Sequence, residues 1–129
     1  KEMIKKNKID FTRNKVFDMV TRNEALEKMV TSLHCLLSIG NLNPAQLPSK
    51  IIEYISTGKP VLHFVEIKDD PVLEIAKEFS NLIVIDKNSN ITEVEQQLNN
   101  VFINIEKFDI NKFNENYSTR AVTNKLNII

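Results

Sequence analysis

Several features that mark other classes of protein are scarce or missing from this chain. Its single cysteine, Cys35, cannot form an internal disulfide, which fits a reducing compartment such as the cytosol. Its 17 basic and 17 acidic residues cancel, so it lacks the basic surplus with which a non-specific nucleic-acid binder neutralises phosphates. No apolar run approaches the roughly 18 residues of a membrane span, and none follows the charged N-terminal residues as it would in a signal peptide. We therefore expect a cytoplasmic protein that does not bind nucleic acid.

Glycine is also scarce, which makes its location informative. A chain of this length with average usage would hold about nine glycines. Only Gly40 and Gly58 occur among the 129 residues. Both belong to one segment, GNLNPAQLPSKIIEYISTGKPV, residues 40–61, where they flank a short apolar stretch that begins near Pro48. This segment is therefore the first place to look for a functional site.

The order of apolar patterns predicts an α/β fold in one domain, residues 1–129. Short apolar runs, typical of strands, alternate with longer stretches at helical spacing. We predict strands at 15–20, 34–40, 60–65 and 81–86, and helices at 21–33, 48–57, 69–79, 92–107 and 111–127. Such alternation implies right-handed crossovers and a Rossmann-like parallel sheet with flanking helices. We expect strand 34–40 to be buried on both faces.

Capping residues support several of these helix boundaries. Thr21 and Glu24 have the spacing of a capping box. Pro48 occupies a first-turn position of helix 48–57, and Gly58 lies just beyond its end. The last helix has its apolar residues at helical spacing, at Phe113, Tyr117, Val122 and Leu126.

The loop after strand 34–40 is the most suggestive place for a ligand. Ligands of open α/β sheets bind beyond the carboxyl ends of the strands, and Gly40 would there let the chain turn sharply and a ligand approach closely. The first amides of helix 48–57 lack intrahelical partners and lie at the positive end of its dipole, which favours anions. Ser49 and Lys50 add a hydroxyl and a positive charge, which suits a diphosphate.

Glu53 lies on the same helix face as Ser49 and Lys50. It is about 7.5 Å beyond Pro48 along the helix axis, roughly the distance from a nucleotide's diphosphate to its ribose. A carboxylate can accept hydrogen bonds from the two hydroxyls of the ribose. The opposite face is apolar and should pack on the sheet: Leu47, Ile51, Ile52 and Ile55. Spacing alone also allows a plainer interpretation, in which Lys50 and Glu53 form a surface ion pair. The residues by themselves leave both interpretations open.

The stretch LLSIGNLNPAQLPSKIIEYISTGKPVLHF, residues 36–64, resembles the donor-binding signature of group-one GT-B glycosyltransferases. That family builds bacterial surface polysaccharides such as capsules. The matching parts are a strand that ends in a small-residue loop, Pro-Ser-Lys, an apolar pair, Glu-Tyr, and Gly-Lys-Pro-Val at the start of the next strand. The capped helix at 21–33 and the closing helix agree with the C-terminal domain of that family, so the resemblance covers most of the chain.

The resemblance implies a role for each residue of the segment. Glu53 matches the glutamate that holds the donor ribose, and Lys50 would be the catalytic residue that stabilises the departing diphosphate. The loop and helix start would face the diphosphate and the sugar. The implied donor-binding residues are Gly40, Asn41, Asn43, Gln46, Leu47, Pro48, Ser49, Lys50 and Glu53. The nucleotide-sugar, a UDP-sugar, is the substrate, and neither a cofactor nor a metal ion is implied.

Two departures from the family pattern affect these expectations. Many relatives carry a second glutamate near the transferred sugar; here Ala45 holds that position, and Asn43 and Gln46 are the candidates to replace it. The chain also lacks the acceptor-binding N-terminal domain of the family and the opening two strands of the second domain. We therefore expect a truncated GT-B domain that is inactive alone and self-associates. The full-length protein would associate peripherally with the inner face of the membrane.

The remaining polar candidates have plainer predicted roles. His63, inside an apolar strand, is favoured as a structural residue, and Cys35 as core packing. Asp69 and Asp70 are predicted to cap the helix that follows them. His34 and Cys35 are adjacent on a predicted strand, so they point to opposite faces and cannot readily share a metal ion.

Three functions follow from these observations. The first is the donor half of a retaining glycosyltransferase that moves a sugar from a UDP-sugar to a glycan or lipid-linked acceptor; its retaining chemistry is implied by the resemblance. The second is a UDP-sugar epimerase of the same architecture, which would isomerise the donor without an acceptor. The third is a non-catalytic nucleotide-binding or interaction module.

Overall fold

The computed structural model describes residues 12, 15, 18–31, 34–104 and 108–118. Its elements, in chain order, are α1 (Arg22–Thr31), β1 (Leu36–Ile39), α2 (Ile51–Ser56), β2 (Val61–Phe64), α3 (Val72–Ala76), β3 (Leu82–Ile85), α4 (Ile91–Ile103) and α5 (Ile110–Tyr117). The strands form a parallel sheet in the order β1-β2-β3, with helices before, between and after them. The fold is α/β, as the alternation predicts.

The register between neighbouring strands places their side chains in rows that cross all three strands. One row contains Leu36, Val61 and Leu82, and the row two residues further on contains Ser38, His63 and Val84. Because alternate residues of a strand point to opposite faces, both rows lie on the same face of the sheet.

The hydrophobic core lies between this face and the helices α2, α3 and α5. Its buried members are Leu36, Ile51, Ile55, Val61, Val72, Ile75, Phe79, Leu82 and Phe113. The ring of Phe113 lies 5.7 Å from that of Phe79 and 5.5 Å from that of Tyr117, measured between ring centres. These aromatic contacts attach α5 to the core.

The described residues leave the opposite face of the sheet open over β1 and β2. Leu37 and Ile39 expose 62% and 65% of their surface, and with Phe64 and Glu66 they line a groove of about 350 Å³. The prediction that strand 34–40, which is β1 in the structure, is buried on both faces is therefore wrong. The reason is that α2 and α3 are the helices of two successive crossovers, β1 to β2 and β2 to β3, which have the same hand and run in the same direction across the sheet, so both helices pack on the other face.

Three of the four predicted strands are confirmed, and strand 15–20 is not. Lys15 and residues 18–20 have no regular structure, and the Met19 side chain is fully exposed, while residues 16 and 17 lie outside the described residues. A short apolar run such as KVFDMV does not by itself distinguish a strand from a loop. Within the described part of the chain, β1 has a neighbouring strand on one side, β2.

All five predicted helices occur, most of them shorter than predicted. The capping box before α1 is confirmed, because Thr21 N donates to Glu24 Oε2 at 2.8 Å and Glu24 N donates to Thr21 Oγ1 at 3.3 Å. Residues 105–107 and the predicted helical residues Leu33, Val122 and Leu126 lie outside the described residues.

Candidate functional site

The loop between β1 and α2 is held by its own side chains. Asn41 Nδ2 donates to Gln46 O at 2.9 Å, and Asn43 Oδ1 accepts from Ala45 N at 3.0 Å. Gln46 N also donates to Asn43 O at 3.1 Å. The side chains of Asn41 and Asn43 are thus engaged in shaping the loop. Both candidates to replace the missing glutamate, Asn43 and Gln46, are exposed, and Asn43 is the one whose side-chain oxygen accepts a hydrogen bond within the loop.

Glu53 lies in the first turn of α2, where two basic side chains hold its carboxylate. Arg22 Nη2 donates to Oε1 at 2.9 Å, and Lys50 Nζ donates to Oε2 at 3.2 Å. The hydrogen bond from Arg22, and after it the one from Lys50, holds the pKa of Glu53 below its ordinary value. One quarter of the side chain, 25%, remains exposed. We call Arg22, Lys50 and Glu53 the charge cluster.

Arg22 is the member of the charge cluster that the sequence did not predict. It lies 31 residues before Glu53, at the start of α1. The end of α1 leads to the amino end of β1, and α2 follows the carboxyl end of β1. Both helices therefore begin near the carboxyl end of that strand. The contact depends on this tertiary arrangement. The available signal was a basic residue in the first turn of a capped helix.

The start of α2 differs from the predicted anion site. Ile51 N donates to Pro48 O at 3.1 Å, so residues 48–50 form a turn and the helix begins at Ile51. Ser49 and Lys50 therefore precede the helix, and the helix has six residues, too few for a large summed dipole. The positive charge of this region comes instead from the side chains of Arg22 and Lys50.

The apolar face of α2 is largely as predicted. Ile51 and Ile55 are fully buried in the core, and Ile52 is partly buried against it. Leu47, by contrast, is exposed, so the prediction that it packs on the sheet is wrong. Its position in the loop, four residues before α2 begins, accounts for the difference.

Gly40 is required for a different reason than predicted. Its N donates to Phe64 O at 2.8 Å, which extends the ladder between β1 and β2 by one residue. Among the described glycines, Gly58 has the positive φ, +70°, at the end of α2, and Gly40 does not. A Cβ at Gly40 would collide with Asp70 Oδ2. Gly40 therefore makes room for a neighbouring side chain.

A buried chain of polar side chains lies next to Gly40. Ser38 Oγ is 3.0 Å from His63 Nδ1, and His63 Nε2 is 2.9 Å from Asp70 Oδ2. The other oxygen of Asp70, Oδ1, accepts from Val72 N at 2.9 Å, which confirms the predicted capping of α3 by this residue. His63 is buried, as expected of a structural residue, whereas Asp69 is exposed.

A cavity of about 560 Å³ opens beyond the carboxyl ends of β2 and β3. Its polar lining consists of Glu66, Lys68, Asp86, Lys87 and Asn88. Asp86 Oδ1 fixes one wall by accepting from Asn88 N at 2.7 Å. The cavity lies at the edge of the sheet where ligands of parallel α/β folds bind.

The part of the chain that the structure describes has neither a cluster of metal-ligand side chains nor a membrane-spanning helix. No group of three or more histidine, cysteine, aspartate or glutamate side chains is placed to hold a metal ion in this part of the chain. None of the helices described above is both long and apolar enough to cross a bilayer. Cys35 is half-buried, and this burial raises the pKa of its thiol.

The site combines two cations and a carboxylate at the edge of the sheet where a ligand is expected. Such a set suits a ligand with both an anionic group and hydroxyls, because Arg and Lys bind phosphate oxygens and a carboxylate accepts from hydroxyls. Comparisons of the chain with protein-family models, with curated proteins and with solved structures found no match.

Proposed function

We propose that this chain is the donor-binding part of a glycosyltransferase that uses a nucleotide-sugar, a UDP-sugar in particular. The full-length protein would transfer the sugar to a glycan or lipid-linked acceptor held by a further domain. We place this reaction in the cytoplasm, at the inner face of the membrane, where a lipid-linked acceptor would be reached.

The charge cluster is the observation that carries the proposal. Each oxygen of Glu53 receives one hydrogen bond from a basic side chain. A carboxylate has about four lone-pair positions, so two remain for the hydroxyls of a ribose. Arg22 and Lys50 fix the orientation of the carboxylate. They also keep positive charge beside the loop that would face the diphosphate.

The chemistry proposed for this site is stabilisation of a leaving group. Transfer breaks the bond between the anomeric carbon of the sugar and the diphosphate oxygen, and UDP leaves with the bonding electrons and added negative charge. Lys50, with Arg22 beside it, would stabilise that charge more strongly in the transition state than in the bound donor. Gln46 is the residue we propose for hydroxyls of the sugar.

Calorimetry with UDP tests the binding role of Glu53. We expect the chain to bind UDP and the Glu53→Ala variant to bind it at least about tenfold more weakly, since each charge-assisted hydrogen bond contributes about 1.5–3 kcal/mol. The matched control is Glu74→Ala. Glu74 is also a first-turn glutamate paired with a lysine, Lys77, three residues on. Its loss should leave UDP affinity unchanged.

The same contacts also suit a second candidate function. Arg22 joins α1 to α2 through Glu53, so the charge cluster could serve purely to hold α1 in a protein-interaction module. If the wild-type chain binds no nucleotide, this second function is favoured. If UDP binds equally to the wild type and to Glu53→Ala, the ribose role of Glu53 is wrong. Isomerisation of a UDP-sugar without any acceptor would point to an epimerase.

A further inference from the structure

The buried chain Ser38–His63–Asp70 is fully satisfied with hydrogen bonds. The three residues expose 6%, 0% and 3% of their surface. Burying such groups is costly unless each finds a partner. With a neutral imidazole, the Asp70 carboxylate accepts from Nε2–H of His63, and the Ser38 hydroxyl donates to Nδ1. Asp70 Oδ1 is satisfied by Val72 N.

This chain joins segments that are far apart in sequence. Ser38 and His63 are register neighbours on β1 and β2, 25 residues apart. Asp70 lies near the end of the loop between β2 and α3, two residues before α3 begins and seven after His63. One imidazole therefore links two strands to the following loop and to the first turn of α3.

Gly40 extends the connection to the loop after β1. The site of a Cβ on Gly40 is blocked by Asp70 Oδ2, and Glu66 N and Phe64 O each lie 3.2 Å from the same point. The backbone at the start of the β1–α2 loop is thus packed against the β2–α3 loop. The first loop carries the proposed sugar and diphosphate contacts. The second carries Glu66 and Lys68 of the cavity beyond β2 and β3.

We propose that Ser38, His63 and Asp70 are positioning residues that hold these two loops in the arrangement needed for ligand binding at the carboxyl edge of the sheet. They do not touch the ligand. The inference rests on the proposed function in so far as the ligand is a nucleotide. According to this proposal, removing the hydrogen bonds of His63 makes both loops more mobile.

Hydrogen exchange and UDP calorimetry on His63→Leu and His63→Gln test the proposal. His63→Leu replaces the imidazole with an apolar side chain of similar size and so removes both ring nitrogens. We expect faster amide exchange in peptides covering residues 40–47 and 65–71. We also expect UDP affinity to fall by between about tenfold and a hundredfold, by analogy with the loss in metal affinity when a residue that supports a metal ligand is removed. The amide of glutamine can donate to Asp70 in place of Nε2, so His63→Gln should restore both properties.

The matched control is Val61→Ala. Val61 lies on the same strand and face, two residues before His63, and is also fully buried. Its truncation should lower overall stability. Relative to the wild type, it should speed exchange in the two loops no more than in the rest of the chain. The proposal is overturned if His63→Leu leaves loop exchange unchanged, or if it speeds exchange uniformly along the chain as Val61→Ala does.

Two further arrangements keep the result decisive. If His63→Leu does not fold, Gly40→Ala approaches the same contact from the other side, because its methyl group must displace Asp70. It should loosen the same two loops, and wild-type exchange in that variant would overturn the proposal. If the wild type binds no UDP, the proposed function fails. The exchange pattern of His63→Leu against His63→Gln then decides the positioning role alone.

Discussion

At the scale of single residues, charge placement around Glu53 decides how the site behaves. A carboxylate held by two cations stays ionised at neutral pH and keeps a fixed orientation. Arg22 contributes most to this, since its hydrogen bond is the largest influence that lowers the pKa of Glu53. The Arg22 side chain is largely exposed, so its ion pair with Glu53 adds little to the stability of the fold. The pair nevertheless fixes the orientation of the Glu53 carboxylate directly.

The substitution Arg22→Met should raise the pKa of Glu53 toward its ordinary value. A carboxyl group whose pKa is lowered by folding adds stability above its unfolded pKa, about 4.3, and loses it as pH falls through the folded-state pKa. We therefore expect the wild type to exceed Arg22→Met in unfolding free energy by less than about 1 kcal/mol at pH 7. This difference should be smaller at a pH below about 4.3, and it is lost once the Glu53 carboxyl of the folded chain is protonated.

Carbon-detected NMR titration of the Glu53 side chain measures the pKa, and urea unfolding at the two pH values measures the stability. Lys77→Met is the control, because it removes an exposed cation paired with Glu74 instead. Identical Glu53 titrations in the wild type and in Arg22→Met would contradict the assigned cause.

At this scale the sequence predicted part of the site. Lys50 and Glu53 form the ion pair that the plainer interpretation of their spacing allowed, because residues three apart at the start of a helix lie on the same face. Arg22 could not be predicted, because its contact depends on how two helices are packed. The link between His63 and Asp70 was also missed. Each residue stands out in the sequence by its position, but their contact depends on the strand register and the path of a loop.

At the scale of elements, the helices owe their positions to a few buried side chains. Phe113 is the buried residue of α5, and its ring lies within 6.4 Å of the rings of Phe79, Phe108 and Tyr117. α5 itself is capped by Asp109, whose side chain accepts from Asn111 N and Lys112 N. The cap starts the helix, and the aromatic contacts attach it to the core.

The substitution Phe113→Ala should destabilise the chain by about 3–5 kcal/mol, the usual loss when a buried phenylalanine is truncated. Phe102→Ala is the matched control, because Phe102 lies on α4 and is exposed. We expect a clearly smaller loss there. Urea unfolding of both variants compares them, and a loss for Phe113→Ala as small as that expected for Phe102→Ala would mean that α5 contributes little to the core.

The sequence predicted which elements exist better than where they begin. Residues 48–50 match a helix by composition, but the chain uses them in a turn before Ile51. Pro48 has no amide hydrogen to donate and suits either arrangement. The predicted strand 15–20 illustrates the other limit, since an apolar run becomes a strand only when a neighbour pairs with it.

At the scale of the whole molecule, the sheet is covered unevenly. Parallel sheets are usually buried on both faces, yet Leu37 and Ile39 are mostly exposed. β1 carries neither a charged residue nor a proline, two devices that protect exposed strands from association. The open groove should therefore bind apolar dyes.

The substitution Ile39→Thr should reduce fluorescence of the dye ANS, which binds exposed apolar surface. Threonine keeps a β-branched side chain suited to a strand, so we expect the unfolding free energy to change by less than about 0.5 kcal/mol. Ile103→Thr is the control, because Ile103 is similarly exposed but lies at the end of α4. If both variants lower the fluorescence equally, the groove is not the binding surface for the dye.

The strands are arranged in space in the same order as along the chain. During synthesis on the ribosome, β1 therefore emerges before the strand that it pairs with, and Ser38 precedes His63 by 25 residues. At about 5–20 residues per second, β1 waits roughly one to five seconds for its neighbour. Throughout that interval β1 lacks the strand with which it pairs in the described sheet, so its exposed apolar side chains, Leu37 and Ile39, are available to a chaperone before β2 has been made.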